Sequence, residues 1–170
     1  MRTPILAAIF FVLFWLGGPA AADSWRDYRS DEMGFVVQLP DDPTITQQPI
    51  DTTPVGTETQ FLIDQGNTVY LILVSEYPAA SLPSAPNADY FTTLLDAFVH
   101  AAGGTARSQT GMSIGPYQGS EAIVDHGVDV YVVRFFVVGN RLYQVLLGVP
   151  EGQESGAEAK RYFDSFRLID

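Results

Sequence analysis

Residues 128–149 constrain this chain most: two nearly unbroken apolar segments flank the pair Gly139-Asn140. The first of them contains "VYVVRFFVV", in which Arg134 is the one charged residue. A strand that is apolar at alternate positions buries one face. A strand that is apolar at nearly every position must be covered on both. Gly-Asn is a two-residue hairpin signal. Strands over about 128–138 and 141–149 are therefore expected as antiparallel neighbours, deep inside a sheet that lies between two layers.

The rest of the chain supplies candidates for those layers. "WRDYRS" and "GFVVQLP" read as two short strands around a turn at 31–34. Residues 40–56, polar and proline-bearing, read mostly as loop. "TETQFLID" and "TVYLILVSEY" form a hairpin about Gly66-Asn67. "PAASLPSAPN" is a second loop, with three prolines in ten residues. Residues 88–102 place Phe91, Leu94, Leu95, Phe98 and Ala102 on one helical stripe. Asn87 is suited to cap that helix and Gly103-Gly104 to stop it. A further strand is expected over 119–125. In the last segment Ser155-Gly156-Ala157-Glu158 matches a capping box, followed by a stripe of Ala159, Tyr162, Phe163 and Phe166. Residues 167–169 are suited to a short closing strand. Strands, helix, strands, helix in that order indicate an α+β class with a mostly antiparallel sheet.

Residues 1–22 stand apart. Arg2 precedes the apolar run "ILAAIFFVLFWL", a Gly-Gly-Pro break and Ala20-Ala21-Ala22. That is the layout of a secretory signal peptide, and the run is too short for a bilayer span, which needs about 20 apolar residues. Cleavage near Ala22 would leave residues 23–170 as a single domain, periplasmic or secreted. The chain has no cysteine. Disulfides, thiol catalysis, thiolate metal sites and a cysteine-borne lipid anchor are thereby excluded. The net charge of −11 repels phosphate backbones and anionic lipid surfaces, so neither nucleic acid nor membrane is an expected partner.

The segment "GMSIGPYQGSE" contains Gly-x-Ser-x-Gly, centred on Ser113. A nucleophile elbow requires a helix directly after the serine. Here Pro116 and Gly119 announce a turn and another strand instead. A triad also needs a histidine held by a carboxylate, and only His126 follows Ser113 in the chain. A strand and a turn explain this five-residue pattern more simply than catalysis. His100 belongs with Asp89, Thr93 and Asp96 on the helix side opposite the apolar stripe. Asp125, His126 and Asp129 surround a tight turn and could bind a divalent cation weakly. The spacing is not that of a calcium loop, and a polar hairpin turn is the simpler reading. There is no phosphate loop and no His-Glu-x-x-His zinc motif, so no cofactor is expected. Distant carboxylates could still pair for glycoside cleavage, though nothing marks a particular pair.

Several segments together resemble the PsbP/Mog1-like group of small exported domains. "GFVVQLPDDPTI" is similar to its opening strand and proline-marked turn. "IGPYQGSEAIV" is similar to its Gly-x-x-Gly-x-Glu stretch, "VYVVRFFVVGNRLYQVLLGVPEGQ" to its paired central strands, and "AEAKRYFDSFRL" to its closing helix. The resemblance spans most of residues 33–169. It implies a central, mostly antiparallel sheet with helices on both faces, an α/β/α sandwich. In that setting Ser113, Gly115 and Gly119 belong to a strand and turn. The group's functions diverge, and no motif for any one of them is present here. The expected role is an exported, non-catalytic module that contacts another protein or a small ligand. Tyr77, Tyr90 and Tyr117 are candidate anchors for it. The alternatives are a hydrolase, using Ser113 or an unmarked carboxylate pair, and a metal-responsive module using Asp125, His126 and Asp129.

Overall fold

A computed structural model describes residues 24–169; the expected signal peptide and its expected cleavage near Ala22 lie outside them. The apolar hairpin forms as β8 (Asp129–Val138) and β9 (Arg141–Pro150), in register from Val138 opposite Arg141 to Asp129 opposite Pro150. Gly139 takes the positive φ of 60° that the turn demands. Side chains alternate across the pleat. Val132, Phe136, Tyr143, Val145 and Leu147 enter one apolar cluster, whereas Val133, Phe135, Val137, Leu142 and Leu146 enter another. Both faces of the hairpin are buried for that reason. Arg134 is tolerated inside β8 because its charge is paired and its ring-facing side is packed. Its Nε lies 2.6 Å from a carboxylate oxygen of Glu121, Nη1 donates to the Phe163 carbonyl at 3.1 Å, and the guanidinium sits 4.5 Å over the Phe163 ring.

The hairpin lies within a seven-stranded antiparallel sheet. The other strands are β3 (Thr44–Ile50), β4 (Gly56–Asp64), β5 (Val69–Glu76), β6 (Thr105–Ile114) and β7 (Tyr117–His126). Their order is β3-β4-β5-β9-β8-β7-β6, so β3 and β6 are the edges. Helix α1 (Ala88–Ala102) covers one face over β7 and β6 and buries Phe91 and Leu95 against Ala122, Val124, Val133 and Phe135. Its ends form as the sequence dictates. The Asn87 side chain accepts a hydrogen bond from the Tyr90 amide, and Gly103 closes the helix in the left-handed conformation, its amide donating to the Val99 carbonyl. Phe98 lies at the margin of the stripe, half-buried against Tyr131 and Phe135.

The opposite face departs from the helix-flanked α/β/α sandwich. It is covered jointly by helix α2 (Ala157–Ser165) and by a second sheet of three strands, β1 (Arg26–Ser30), β2 (Phe35–Leu39) and β10 (Arg167–Leu168), in the order β1-β2-β10. The protein is mostly β, with 52% of the described residues in strands and 16% in two helices. The reason is one of coverage. Helix α2 (Ala157–Ser165) has nine residues, about 13 Å of length at 1.5 Å per residue, too little to roof seven strands. β2 is buried at four of its five positions and supplies Phe35, Val37 and Leu39 to the core. Two local expectations also fail. Gly156, not Ser155, is the α2 N-cap, with no side-chain cap bond, and Glu158 lies instead 3.5 Å from the Tyr70 hydroxyl. Residues expected as loop include β3, whose Thr46, Gln47 and Gln48 bond across to Gln60, Thr59 and Glu58 at 2.9–3.2 Å.

Buried tyrosines give this core a pH limit. The Tyr143 hydroxyl donates to the Met33 carbonyl at 2.7 Å, and that of Tyr162 to the Leu71 carbonyl at 3.2 Å. Burial pushes the phenol pKa up at Tyr70, Tyr143 and Tyr162, with the Glu158 carboxylate adding to the effect at Tyr70. The native state holds these phenols neutral, whereas in the unfolded chain they ionise near pH 10. Their contribution to stability is complete below that pH and is lost as pH rises toward their higher native values. Alkaline titration should therefore show part of the tyrosinate absorbance appearing together with loss of far-UV circular dichroism. Complete ionisation ahead of unfolding would contradict this packing.

Candidate functional site

The segment around Ser113 forms the end of β6, a turn and the start of β7. Gly115 adopts φ 55° in the turn, and Ser113 then lies opposite Gln118, Gly111 opposite Ser120, and Gln109 opposite Ala122. Directly opposed residues share a face, and Ala122 packs in the cluster under α1. Gln109, Gly111 and Ser113 therefore point to the helix side. The first turns of α1 stand beside them, and the Thr92 hydroxyl lies 3.2 Å from the Gln109 side-chain oxygen. Between helix and strand is a cleft of about 450 Å³, lined by Ala88, Phe91, Thr92, Gln109, Gly111, Ser113 and their neighbours. None of its ten lining residues is charged.

Glycine and alanine keep this cleft open. A Cβ built on Gly111 meets nothing within 4 Å, and its φ is not positive. Gly119, on the opposite face, has the reverse role. A Cβ there would come within 2.4 Å of the Phe136 ring and 2.6 Å of the Phe135 carbonyl oxygen. The glycines of this motif thus supply one open wall, one turn and one close approach.

The arrangement around Ser113 is not that of a hydrolase. The residue that follows the turn begins a strand, as its sequence indicates. From Gln118, which faces Ser113, to His126 the chain runs eight residues along one strand, roughly 27 Å at 3.4 Å per residue. His100 sits in the last turn of α1, whereas the cleft is at the first. Neither imidazole reaches the serine. Glu121 points to the other face, where it pairs with Arg134.

Asp125, His126 and Asp129 are close in the chain and divided in their contacts. Arg107 donates to Asp125 at 3.2 Å, to Glu154 at 2.9 Å and to Glu151 at 3.2 Å. Hydrogen bonds from its own backbone amide and from that of Gly152, together with the Arg107 guanidinium, hold the Glu154 carboxyl below its ordinary range. The His126 ring stacks on Tyr131 at 5.2 Å, and its Nδ1 is 3.4 Å from the Tyr131 hydroxyl. Asp129 faces His126 across the β7–β8 ladder. Among the described residues, no three carboxylate or imidazole side chains are grouped to hold a metal ion.

Sequence reasoning did not find a second cleft, of about 510 Å³, where Gly34, Tyr117, Asn140, Arg141 and Arg167 meet. Its cations are committed already. Arg141 donates to Glu76 and to the Glu32 carbonyl, each at 2.9 Å, and Arg167 lies 3.3 Å from Asp27. Tyr77, Tyr90 and Tyr117 are all half-buried.

Comparison with known proteins bears on the fold. No family model matches the chain, and no curated protein does. The solution structure of cyanobacterial PsbP (CyanoP) from Synechocystis sp. PCC 6803 is similar with a TM-score of 0.61, at 11% identity, over 89% of this chain and 96% of that one. A crystal structure from Bacteroides thetaiotaomicron VPI-5482 matches with a TM-score of 0.45 at 14% identity, over 86% of this chain and 49% of that one. The chain therefore has a PsbP-like fold, and the likeness is of fold alone.

Proposed function

We propose that this PsbP-like chain is an exported, non-catalytic accessory module, and that residues 23–170 form one domain contacting a protein or small ligand of the cell envelope. The contact is made in the cleft between α1 and β6, after signal-peptide cleavage near Ala22. The apolar run of residues 5–16 supports export, and among the described residues no helix is long and apolar enough to cross a membrane. One observation carries the reading. The cleft presents an open, uncharged wall at Gly111, while the serine beside it is separated from His126 by most of the length of β7 and from His100 by most of the length of α1. Such a site is built for shape and hydrogen bonding.

Filling the cleft tests this. Gly111→Trp puts a ring into empty space without a positive-φ penalty, so stability should stay within about 1 kcal/mol of the parent. A photoreactive side chain in place of Gln118, which lines the cleft, should capture a discrete partner in exporting cells. The same group in place of Thr93, exposed on the helix, should not. Capture should vanish in Gly111→Trp. Equal capture from both positions, or capture that ignores the tryptophan, would place the contact elsewhere.

A further inference from the structure

The two edges of the large sheet differ in how they are guarded. A free edge displays unpaired backbone groups and invites another strand, and proteins usually blunt it with proline or charge. β3 carries Pro49, which has no amide hydrogen to offer. β6 is ten residues long and, among the described residues, pairs on one side only. Its Arg107 sits at the register shift between Ala106 and Ser108 and is turned to three carboxylates. From there to Ile114 the edge has neither proline nor charge, in a chain of net charge −11.

A second observation lies beside that edge. The Gln109 side-chain nitrogen is buried without a hydrogen-bond partner. Whichever way the amide is turned, the Thr92 hydroxyl satisfies one end of it. An unsatisfied buried amide is costly. An incoming backbone supplies both donors and acceptors, and so can pair with a side-chain amide as well as with the edge.

Resting on the binding role proposed above, we infer that the cleft's occupant is an extended polypeptide segment of a partner protein, added as an eighth strand along β6. Its backbone pairs with the free edge. Alternate side chains enter the cleft over Gly111, between Gln109 and Ser113, as in strand addition beside a helix. Those side chains are uncharged, because the lining offers no counter-charge and a charge buried there would stand unpaired. Small or hydroxyl-bearing residues fit the space left by Ala88 and Gly111.

The test uses random peptides of the length of β6, ten residues, displayed and selected on the processed protein. Selected peptides should carry uncharged residues at alternate positions and lose about tenfold or more in affinity against Gly111→Trp. Binding should slow hydrogen exchange in β6. Backbone N-methylation of the peptide should abolish binding at one set of alternate positions and spare the other, since only one set faces the edge. Three results would overturn the inference: no enrichment beyond that seen with the Gly111→Trp protein, protection mapping away from β6, or a concentration-dependent dimer through β6, which would make a second copy the occupant. If the peptides fail while capture from position 118 persists, the cleft still binds, but not a strand. If both fail, the cleft is not the binding site.

Discussion

Phe166→Ala is expected to destabilise the protein by about 3–5 kcal/mol, the range for emptying a large buried aromatic site. Phe166 follows α2 directly and is 7% exposed. Its ring lies 5.7 Å from Phe35 of the small sheet, and 6.1 Å and 6.3 Å from Phe136 and Tyr143 of the large one. It joins the two sheets, beside the direct contact of Phe35 with Phe61 of the large sheet at 5.1 Å. No neighbouring chain segment is free to collapse into the space, because Phe35, Phe136 and Tyr143 are themselves packed on strands with fixed registers. In a protein of this length the midpoint of thermal unfolding should fall by on the order of 10 °C. Phe98→Ala removes a ring of the same size from a half-buried site and should cost less. Circular dichroism melts of the two variants measure the difference, and an equal or reversed ranking would mean that the second sheet is not fastened through Phe166.

Gly119→Ala should destabilise by about 1–3 kcal/mol, the usual cost of forcing extra volume into a packed interior. The new methyl would meet the Phe136 ring and the Phe135 carbonyl oxygen. The ring could turn only by disturbing its stack on Phe166, and the carbonyl belongs to the adjoining strand of the sheet. Gly111→Ala is the matched control, on the same motif and in the same ladder. It meets no atom and narrows the unfolded ensemble, so it should be neutral or stabilising by up to about 1 kcal/mol. Chemical denaturation of the pair separates two readings of the glycines. If they served a nucleophile elbow, both substitutions would chiefly damage activity. If they serve packing and an open wall, stability falls at 119 alone.

How much of this was legible in the sequence depended on whether the cause was local. The 3.6-residue period of Phe91, Leu95 and Phe98, with Asn87 and Gly103 at the ends, specifies α1 through contacts a few residues apart. The apolar hairpin about Gly139-Asn140 was equally plain, since both periodicity and turn chemistry are local. β3 was hidden because Thr, Gln and Pro on an exposed edge have no hydrophobic alternation; its pairing rests on backbone bonds and a polar ladder with β4. The second sheet was hidden for another reason. β1 and β2 could be read, but β2 also pairs with β10, Val36 opposite Arg167, and no local pattern encodes a partner so distant. The helical layer on that face was expected from the resemblance, and the β2–β10 pair that replaces part of it leaves no mark in any local pattern. At the site, Ser113 and Gly111 were visible as a pattern, yet the emptiness over Gly111 exists only because α1 begins where it does. Gln109 carried no signal at all, since its significance is an unmet hydrogen bond.

The central claim is that the cleft works by its shape, with Ser113 as part of the wall. The most direct measurement compares capture by a photoreactive residue at position 118 in three otherwise identical full-length proteins: the parent, Ser113→Ala and Gly111→Trp. The account predicts that Ser113→Ala captures as the parent does and that Gly111→Trp captures nothing. Loss of capture in Ser113→Ala together with full capture in Gly111→Trp would contradict it.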